Sequence, residues 1–313
     1  MAKVTNSFTT YDATADREDL SNFIYNIDPS DTPLMSMIGR RNVSNVTFDW
    51  QVESLPAVDT TAQVEGFELA RTASTATTRE SNMAQILKID ATVTGTQESA
   101  NAAGKGNGEM AHQMAIASKA LKRNVEKVIS SAQAKNAGNA TTARTTAGLE
   151  CWIQSNKSRG TGGGDGNAAH TTAPTDGTQR ALTETILKAV IKTCYTSGAE
   201  PSVLMVGPTN KQTVSGFTGR SSAQQTIAAD AIQASVAIYA SDFGELKVVP
   251  SRWVRDRSAM LIDPEFAATS FYRPFQRKPI ADIGDAKTEM MIVEFGLECR
   301  NEAAMGLIAD LTT

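Results

Sequence analysis

Histidine and cysteine are almost missing from this chain. Two histidines, His112 and His170, and three cysteines, Cys151, Cys194 and Cys299, are spread over 313 residues. No CxxC pair occurs, and an odd, sparse cysteine set predicts reduced thiols rather than a disulfide framework. Two distant histidines leave no His-rich metal site and almost no choice of base for a His-dependent triad. No HExxH or GxSxG is present, so zinc hydrolysis and the nucleophile elbow have no foothold. No apolar run approaches the ~18 residues of a membrane helix, and no cationic stretch with an apolar core opens the chain. Neither a membrane span nor a standard secretion signal is expected. Thirty basic against 34 acidic side chains give a net charge of −4, too little to suggest a free-standing nucleic-acid binder. The expectation is a non-enzyme with no cofactor and no metal.

What is present is unevenly distributed. Residues 1–100 carry 7 basic and 14 acidic side chains, whereas residues 101–150 carry 7 and 3, an acidic first third joined to a basic middle. The length allows two or three domains at roughly 100–200 residues each. Leu20, Phe23, Ile24 and Ile27 follow the spacing of one helix face. Asp31 or Thr32 can cap a short helix opened by Pro33 and closed by Gly39. One apolar stripe in forty residues is no core, so this arm must lie on something else. Val46, Phe48, Trp50 and Val52 alternate with polar residues, as do Leu87, Ile89, Ala91 and Val93. Both read as half-buried strands and suggest one long antiparallel ribbon. Between them, residues 54–85 are Thr-, Ala- and Glu-rich with an isolated Phe67, too long for a structureless loop inside a compact domain.

A long helix is predicted over 109–137. Met110, Met114, Ala117, Leu121, Val125 and Val128 share one stripe, with His112, Lys119, Lys122, Arg123 and Lys127 opposite. Residues 160–177 are Gly-rich and read as a linker or surface loop. A compact α/β unit follows: a helix over 182–195 with Gly198 as its stop, a strand at 203–206, helices near 210–214 and 228–234, and strands at 236–240, 246–249 and 260–262. A last strand alternates Val293, Phe295, Leu297 and Cys299 with Glu294, Gly296, Glu298 and Arg300, and needs partners beside the long helix. No internal repeat is visible.

Several motifs resemble chemistry without completing it. Gly104, Gly106 and Gly108 precede the long helix, but match neither GxGxxG nor a P-loop, and read as a hinge. Asp242-Phe243-Gly244 spells the kinase metal tripeptide without the HRD loop or the lysine strand, and reads as a hairpin turn. Glu294 and Glu298 share a strand face and read as a solvated or inter-subunit face. Basic residues interleave with aromatics at 252–257 and 271–278. Single strands are gripped that way, but arginines and aromatics also enrich protein interfaces, and subunit contacts are the favoured reading.

Asn6-Ser7-Phe8-Thr9-Thr10-Tyr11-Asp12, Arg17-Glu18-Asp19-Leu20 and Ser30-Asp31-Thr32-Pro33-Leu34-Met35 resemble the opening of a family of major capsid proteins from tailed double-stranded DNA bacteriophages. Thr146-Ala147-Gly148-Leu149-Glu150-Cys151-Trp152-Ile153 and the closing Val293-Glu294-Phe295-Gly296-Leu297-Glu298-Cys299-Arg300-Asn301 are similar to the same family. The resemblance spans essentially the whole chain.

That resemblance implies the α+β Hong Kong 97-type capsid fold. It divides the chain into an N-terminal arm (1–42), an extended β-ribbon loop (43–104), a peripheral domain with a long spine helix and the Gly-rich loop (105–180), an axial α/β domain (181–278) and return strands (279–313). It implies a shell built from pentamers and hexamers around packaged DNA, located in the virion and assembled in the host bacterial cytoplasm. Scaffold, cement or decoration, and portal proteins are the further partners implied, and no membrane. Inter-subunit contacts are expected at Phe48, Trp50, Glu65, Phe67, Arg71 and Arg79. Lys119, Lys122, Arg123 and Lys127 would face the DNA, contacting phosphates without sequence preference. Relatives with a scaffolding extension begin about a hundred residues earlier, so assembly here is expected to use a separate scaffold or none. Lys88 is the only lysine in the ribbon, so the arm-lysine cross-link of some relatives is not expected. The alternatives are an encapsulin-like bacterial nanocompartment shell and a nucleic-acid-binding module.

Overall fold

The computed structural model describes residues 28–56, 58–68, 76–100, 105, 108–217, 237–282 and 284–313. In chain order its elements are α1 (Pro33–Met37), β1 (Gly39–Asn42), β2 (Thr47–Val52), β3 (Thr78–Met83), β4 (Gln85–Thr94), α2 (Gly95–Ser99), α3 (Glu109–Ile129), α4 (Leu149–Trp152), β5 (Lys157–Ser158), α5 (Glu184–Thr196), β6 (Val203–Val206), α6 (Pro208–Ser215), β7 (Ile238–Ser241), β8 (Gly244–Pro250), β9 (Ala259–Ile262), β10 (Ala267–Ile280), β11 (Ala286–Cys299) and β12 (Gly306–Ile308). The helix face at Leu20–Ile27, Arg71, Gly104, Gly106 and the helix expected at 228–234 lie outside the described residues.

α3 forms where the apolar stripe places it, with Met110, Met114, Ala117, Leu121, Val125 and Ile129 buried. Its first turn is capped from outside: Glu98 Oε2 accepts the Met110 N–H at 2.9 Å. The helix is shorter than the expected 109–137. Ser130 and Ser131 turn their hydroxyls back onto the Lys127 and Val128 carbonyls at 3.3 and 2.8 Å, a competition that ends helices. Its 21 residues give a rod of about 32 Å.

One sheet runs in the order β1, β10, β11, β4, with β1 parallel to β10 and the others antiparallel. β4 keeps the expected alternation: Val93 is buried against Met110 and Met114 of α3, while Lys88, Asp90 and Thr92 are exposed. The expected ribbon is corrected, because β2 does not pair with β4. β2 pairs with β3 from Thr47↔Met83 to Val52↔Thr78, and β4 pairs with β11. The β3 sequence is polar and has no alternation to read. What holds it is the fully buried Asn82, whose amide donates to the Leu297 carbonyl at 2.6 Å and whose Oδ1 accepts the Ala147 N–H at 3.0 Å. A buried amide with its partners satisfied is stable where an unpaired one is not.

The second sheet runs β5, β12, β9, β6, β8, β7, and both its faces are covered. Val203, Met205, Met260 and Ile262 point to the core that holds Leu121, Val125 and Trp152. Leu204, Val206, Ala259 and Leu261 point to Leu187, Val190, Ile191 and Val214 of α5 and α6. Strands covered on both sides read as continuous apolar runs, as VLMV and AMLI do. α5 ends as expected at Gly198, φ +85°, with the Gly198 N–H donating to the Tyr195 carbonyl and the Ala199 N–H to the Cys194 carbonyl, a Schellman cap.

The sheets do not follow the boundaries drawn from sequence. β10, almost wholly inside 181–278, belongs to the first sheet, whereas β5 from 105–180 and β12 from 279–313 belong to the second. The chain crosses between layers several times, and strand pairing, not chain order, sets the layers. The Gly-rich loop is an anchored surface loop: Asp310 accepts the Gly160 N–H at 3.0 Å and the Gly177 N–H at 2.7 Å.

Candidate assembly surfaces

The hairpin β2–β3 has a locked root and a bare tip. Phe48 and Trp50 are buried in the chain's own core, stacked at 6.0 Å, and Trp50 lies 5.2 Å from Trp152. Both were expected at inter-subunit contacts, and that expectation is corrected: their apolar surface is consumed by the seat of the hairpin. Gly296 makes the seat possible, since a Cβ there would come within 2.6 Å of the Phe48 ring. Arg79 is exposed and pairs with Asp49 across the hairpin. Beyond the root, Leu55 and Val58 are 93% and 92% exposed, Phe67 is 52% exposed and Glu65 is exposed.

The arm is held by a carboxylate. α1 starts as expected after Thr32 with Pro33 in its first turn, but Thr32 makes no side-chain cap and Gly39 opens β1 instead of closing the helix. The free N–H groups of Leu34 and Met35 donate to Glu126 of α3 at 2.7 and 2.8 Å. Glu126 is fully buried, and burial pushes its carboxyl up to about 7 against those two bonds. Sequence periodicity gave no place to this residue. The available signal was a lone acid in the basic stretch 119–127.

Glu294 and Glu298 are likewise buried, not solvated, and this too is a correction. Arg144 and Arg273 hold Glu294 at 2.5 and 2.7 Å. Arg41 and Arg300 hold Glu298 at 2.8 and 3.3 Å, with the Ser270 hydroxyl donating at 3.0 Å. Charges enter a core only when paired and hydrogen-bonded in this way. Of the 252–257 cluster, expected at subunit contacts, Arg255 and Arg257 are spent inside the chain, while Arg252 is exposed. Arg255 reaches Glu150 and Asp176 at 3.2 and 2.5 Å, and Arg257 reaches Asp310 at 3.2 Å. Burial raises the Glu150 carboxyl and Arg255 opposes it. In 271–278, Phe271 is buried, Arg273 is taken by Glu294 and Arg277 pairs with Glu289.

On α3, Lys119, Lys122 and Lys127 are exposed and Arg123 is half-buried. Arg123 lies over the Trp253 ring at 5.9 Å, and Lys127 Nζ donates to the Trp253 carbonyl at 2.9 Å. Among the described residues no group of three or more His, Cys, Asp or Glu is placed to hold a metal ion. All three cysteines are buried and free, with burial pushing Cys151 and Cys194 up to about 11 and 12. His170 is buried against Trp152 at 3.9 Å, and burial lowers its pKa. Asp242-Phe243-Gly244 is the turn of the β7–β8 hairpin. A groove of about 430 Å³ between Ile86 and residues 137–144 contains one charged side chain, Arg144, already committed to Glu294. The described surface offers contacts, not converging reactive groups.

Comparison with known proteins agrees. The family model described as SU10 major capsid protein matches residues 3–312. The major capsid protein of Escherichia phage Phieco32 is 33% identical over 129 residues, which is 41% of this chain and 36% of that protein, so the match spans about a third of the relative's length. The capsid asymmetric unit of cyanophage A-1(L) superposes with a TM-score of 0.71 at 13% identity, covering 98% of this chain and 100% of that one. The capsid of a native GTA particle gives 0.64 at 13% identity, covering 97% and 98%. The architecture is thus the Hong Kong 97-type α+β capsid fold.

Proposed function

The chain belongs to the SU10 major capsid protein family and is a structural protein of a phage shell, and we propose that it closes that shell through the bare tip of its β2–β3 hairpin. One observation carries this reading: Leu55, Val58, Val64 and Phe67 stand exposed beyond a hairpin whose root is locked in the core. Exposed apolar groups gathered on one extension mark a partner surface, and in a closed shell the partner is another copy meeting the same contact by symmetry. Glu65, Phe67 and Arg71 are the contact residues proposed. Arg79 joins them through the cross-strand pair with Asp49 that stiffens the tip. Pentamers and hexamers are the building units, and scaffold, cement or decoration, and portal proteins are the partners that complete a head. The subunit catalyses nothing, works in the virion and is assembled in the host cytoplasm. The encapsulin and nucleic-acid-module alternatives are not favoured by the family match.

Electron microscopy with sedimentation of Phe67→Asp and wild type tests this. Closed shells or rings are expected from wild type only, with both proteins giving the same circular dichroism. Normal shells from Phe67→Asp would overturn the assignment. The shell is proposed to be non-covalent: Lys88, the ribbon's single lysine, pairs with Asp90 at 2.9 Å, and boiled particles should run as one band.

A further inference from the structure

The described part of the arm is fastened at both ends of α1 and on α1 itself. Downstream, β1 is laddered to β10 from Gly39↔Ala268 to Asn42↔Phe271, with Arg41 paired to Glu298. Upstream, the Asp31 carbonyl accepts the Trp253 indole N–H at 2.6 Å. Between these ties, Leu34, Met35 and Ile38 are buried, and the Leu34 and Met35 N–H groups end on the two oxygens of Glu126. Ile38 is already extended, φ −79° and ψ 157°, so the chain turns from helix to strand there and α1 is free to lift without unpairing β1.

Glu126 has no countercharge in its seat. α1 carries no titratable side chain, and Asp28 and Asp31 just before it are exposed. On α3, Lys122 and Lys127 are exposed and Arg123 lies over the Trp253 ring. The loop after β8 brings Arg252, which is exposed, and Arg255, held by Glu150 and Asp176. In β1, Arg40 is exposed and Arg41 is held by Glu298; Arg273 of β10 and Glu294 of β11 hold each other. α4 brings Glu150, taken by Arg255, and the buried thiol of Cys151. Only the two amides stabilise a charge on Glu126, and burial outweighs them.

We propose that Glu126 is a proton latch for the arm: α1 seats on α3 over a protonated Glu126 and opens, hinged at Ile38, more often once that carboxyl ionises. A protonated carboxyl still accepts hydrogen bonds, so the seat keeps its geometry while shedding a buried charge. Opening returns the carboxylate to water and uncovers Leu34, Met35 and Ile38. The remaining ties of the arm, a strand ladder and an indole bond to a carbonyl, involve no carboxyl proton. With the carboxyl at 4.5 when undocked and at about 7 when docked, docking is strongest below pH 4.5 and weakens as pH rises through 7. Between pH 5.5 and 8.5 the docking constant falls about 30-fold. The latch is independent of how copies of the subunit meet.

Amide hydrogen exchange of the purified full-length subunit, corrected for the intrinsic rate at each pH, reads the opening of α1. Residues 33–38 are expected to be less protected than β6 at every pH, because α1 opens while the core stays shut. Their protection in wild type should fall about 30-fold from pH 5.5 to 8.5 and stay level in Glu126→Gln. The wild-type curve is diagnostic even if the variant fails to fold: it should flatten above about pH 7, where the docked carboxyl has ionised too. Three results would each overturn the latch: protection at 33–38 equal to that of β6, which means α1 opens only by global unfolding; the same pH course in Glu126→Gln; or protection that holds or rises with pH in wild type, which means the ionised carboxylate grips the amides at least as well.

Discussion

Glu126→Gln is the most informative single change in this fold. In the native chain a fully buried carboxyl accepts two backbone N–H bonds from the arm, and no charged side chain acts on it. α1 carries no titratable residue, Lys122 and Lys127 are exposed, and Arg123 lies over Trp253. Burial therefore wins, and the carboxyl moves from 4.5 to about 7. The folded state then binds this proton more tightly than the unfolded state does. Stability from Glu126 is fully present below pH 4.5, and it is lost as pH rises to and through 7. At about 1.4 kcal/mol per tenfold in proton affinity, the loss between pH 4.5 and 8 is about 3 kcal/mol. With an unfolding entropy of ~2.1 cal/mol/K per residue over 313 residues, that is about 5 °C in Tm.

Glutamine keeps one acceptor and removes the titration. It forfeits one N–H bond at every pH, a constant cost of about 1–3 kcal/mol. The informative quantity is thus the change with pH, not the offset. Calorimetry of both subunits from pH 4.5 to 8 should show wild type losing about 5 °C relative to Glu126→Gln. Every other titrating group is common to the pair and cancels. Parallel curves would refute the reasoning. A wild type that gains on the variant above pH 5 would show that two charge-assisted N–H bonds outweigh the burial of the charge.

Two further outcomes follow from the packing. Gly296→Ala places a Cβ 2.6 Å from the Phe48 ring and 2.8 Å from the Met83 carbonyl; overpacking of this kind costs roughly 1–3 kcal/mol, so denaturant midpoint and protection of β2 in hydrogen exchange should both fall. Buried thiols raised to about 11 and 12 form little thiolate at pH 8, so a disulfide-exchange reagent should label none of the three cysteines in the native subunit and all three in denaturant.

Patterns that report one buried face were readable in this sequence. The α3 stripe, β4, β6, β9 and the Gly198 stop all lie where spacing put them, because each buries a simple apolar set. β3 and β10 escaped for physical reasons. β3 is seated by one satisfied asparagine, and β10 contains Pro274 and Pro279 and slips register between Phe271 and Gln276, so neither presents a clean period. Glu294 and Glu298 misled because alternation was read as one wet face, whereas Arg41, Arg144 and Arg273 from three other places in the chain, with the adjacent Arg300, make the second face a buried one. Of the residues expected at the assembly surface, Glu65 and Phe67 are exposed, whereas Phe48 and Trp50 are buried. No local pattern distinguishes an aromatic that seats a hairpin from one that binds a neighbour, since both alternate in the same way.

The strings that carried the family resemblance and lie among the described residues have a common physical place. Thr32-Pro33-Leu34-Met35 docks on Glu126, residues 146–153 bury Leu149, Trp152 and Ile153, and residues 293–299 bury Phe295 and Leu297 in the same core. Thr146 Oγ accepts the Leu297 N–H at 3.2 Å, and Asn82 bonds both segments. Three remote stretches thus meet at one seam that fixes arm, hairpin root and spine helix together. Residues there answer to partners on other segments, as Asn82 does to Ala147 and Leu297, so the seam constrains sequence more tightly than the exposed tip does. Fold and family were legible for that reason. The contacts proposed to build a shell sit on the surface the seam leaves free, where a subunit's own packing imposes no pattern.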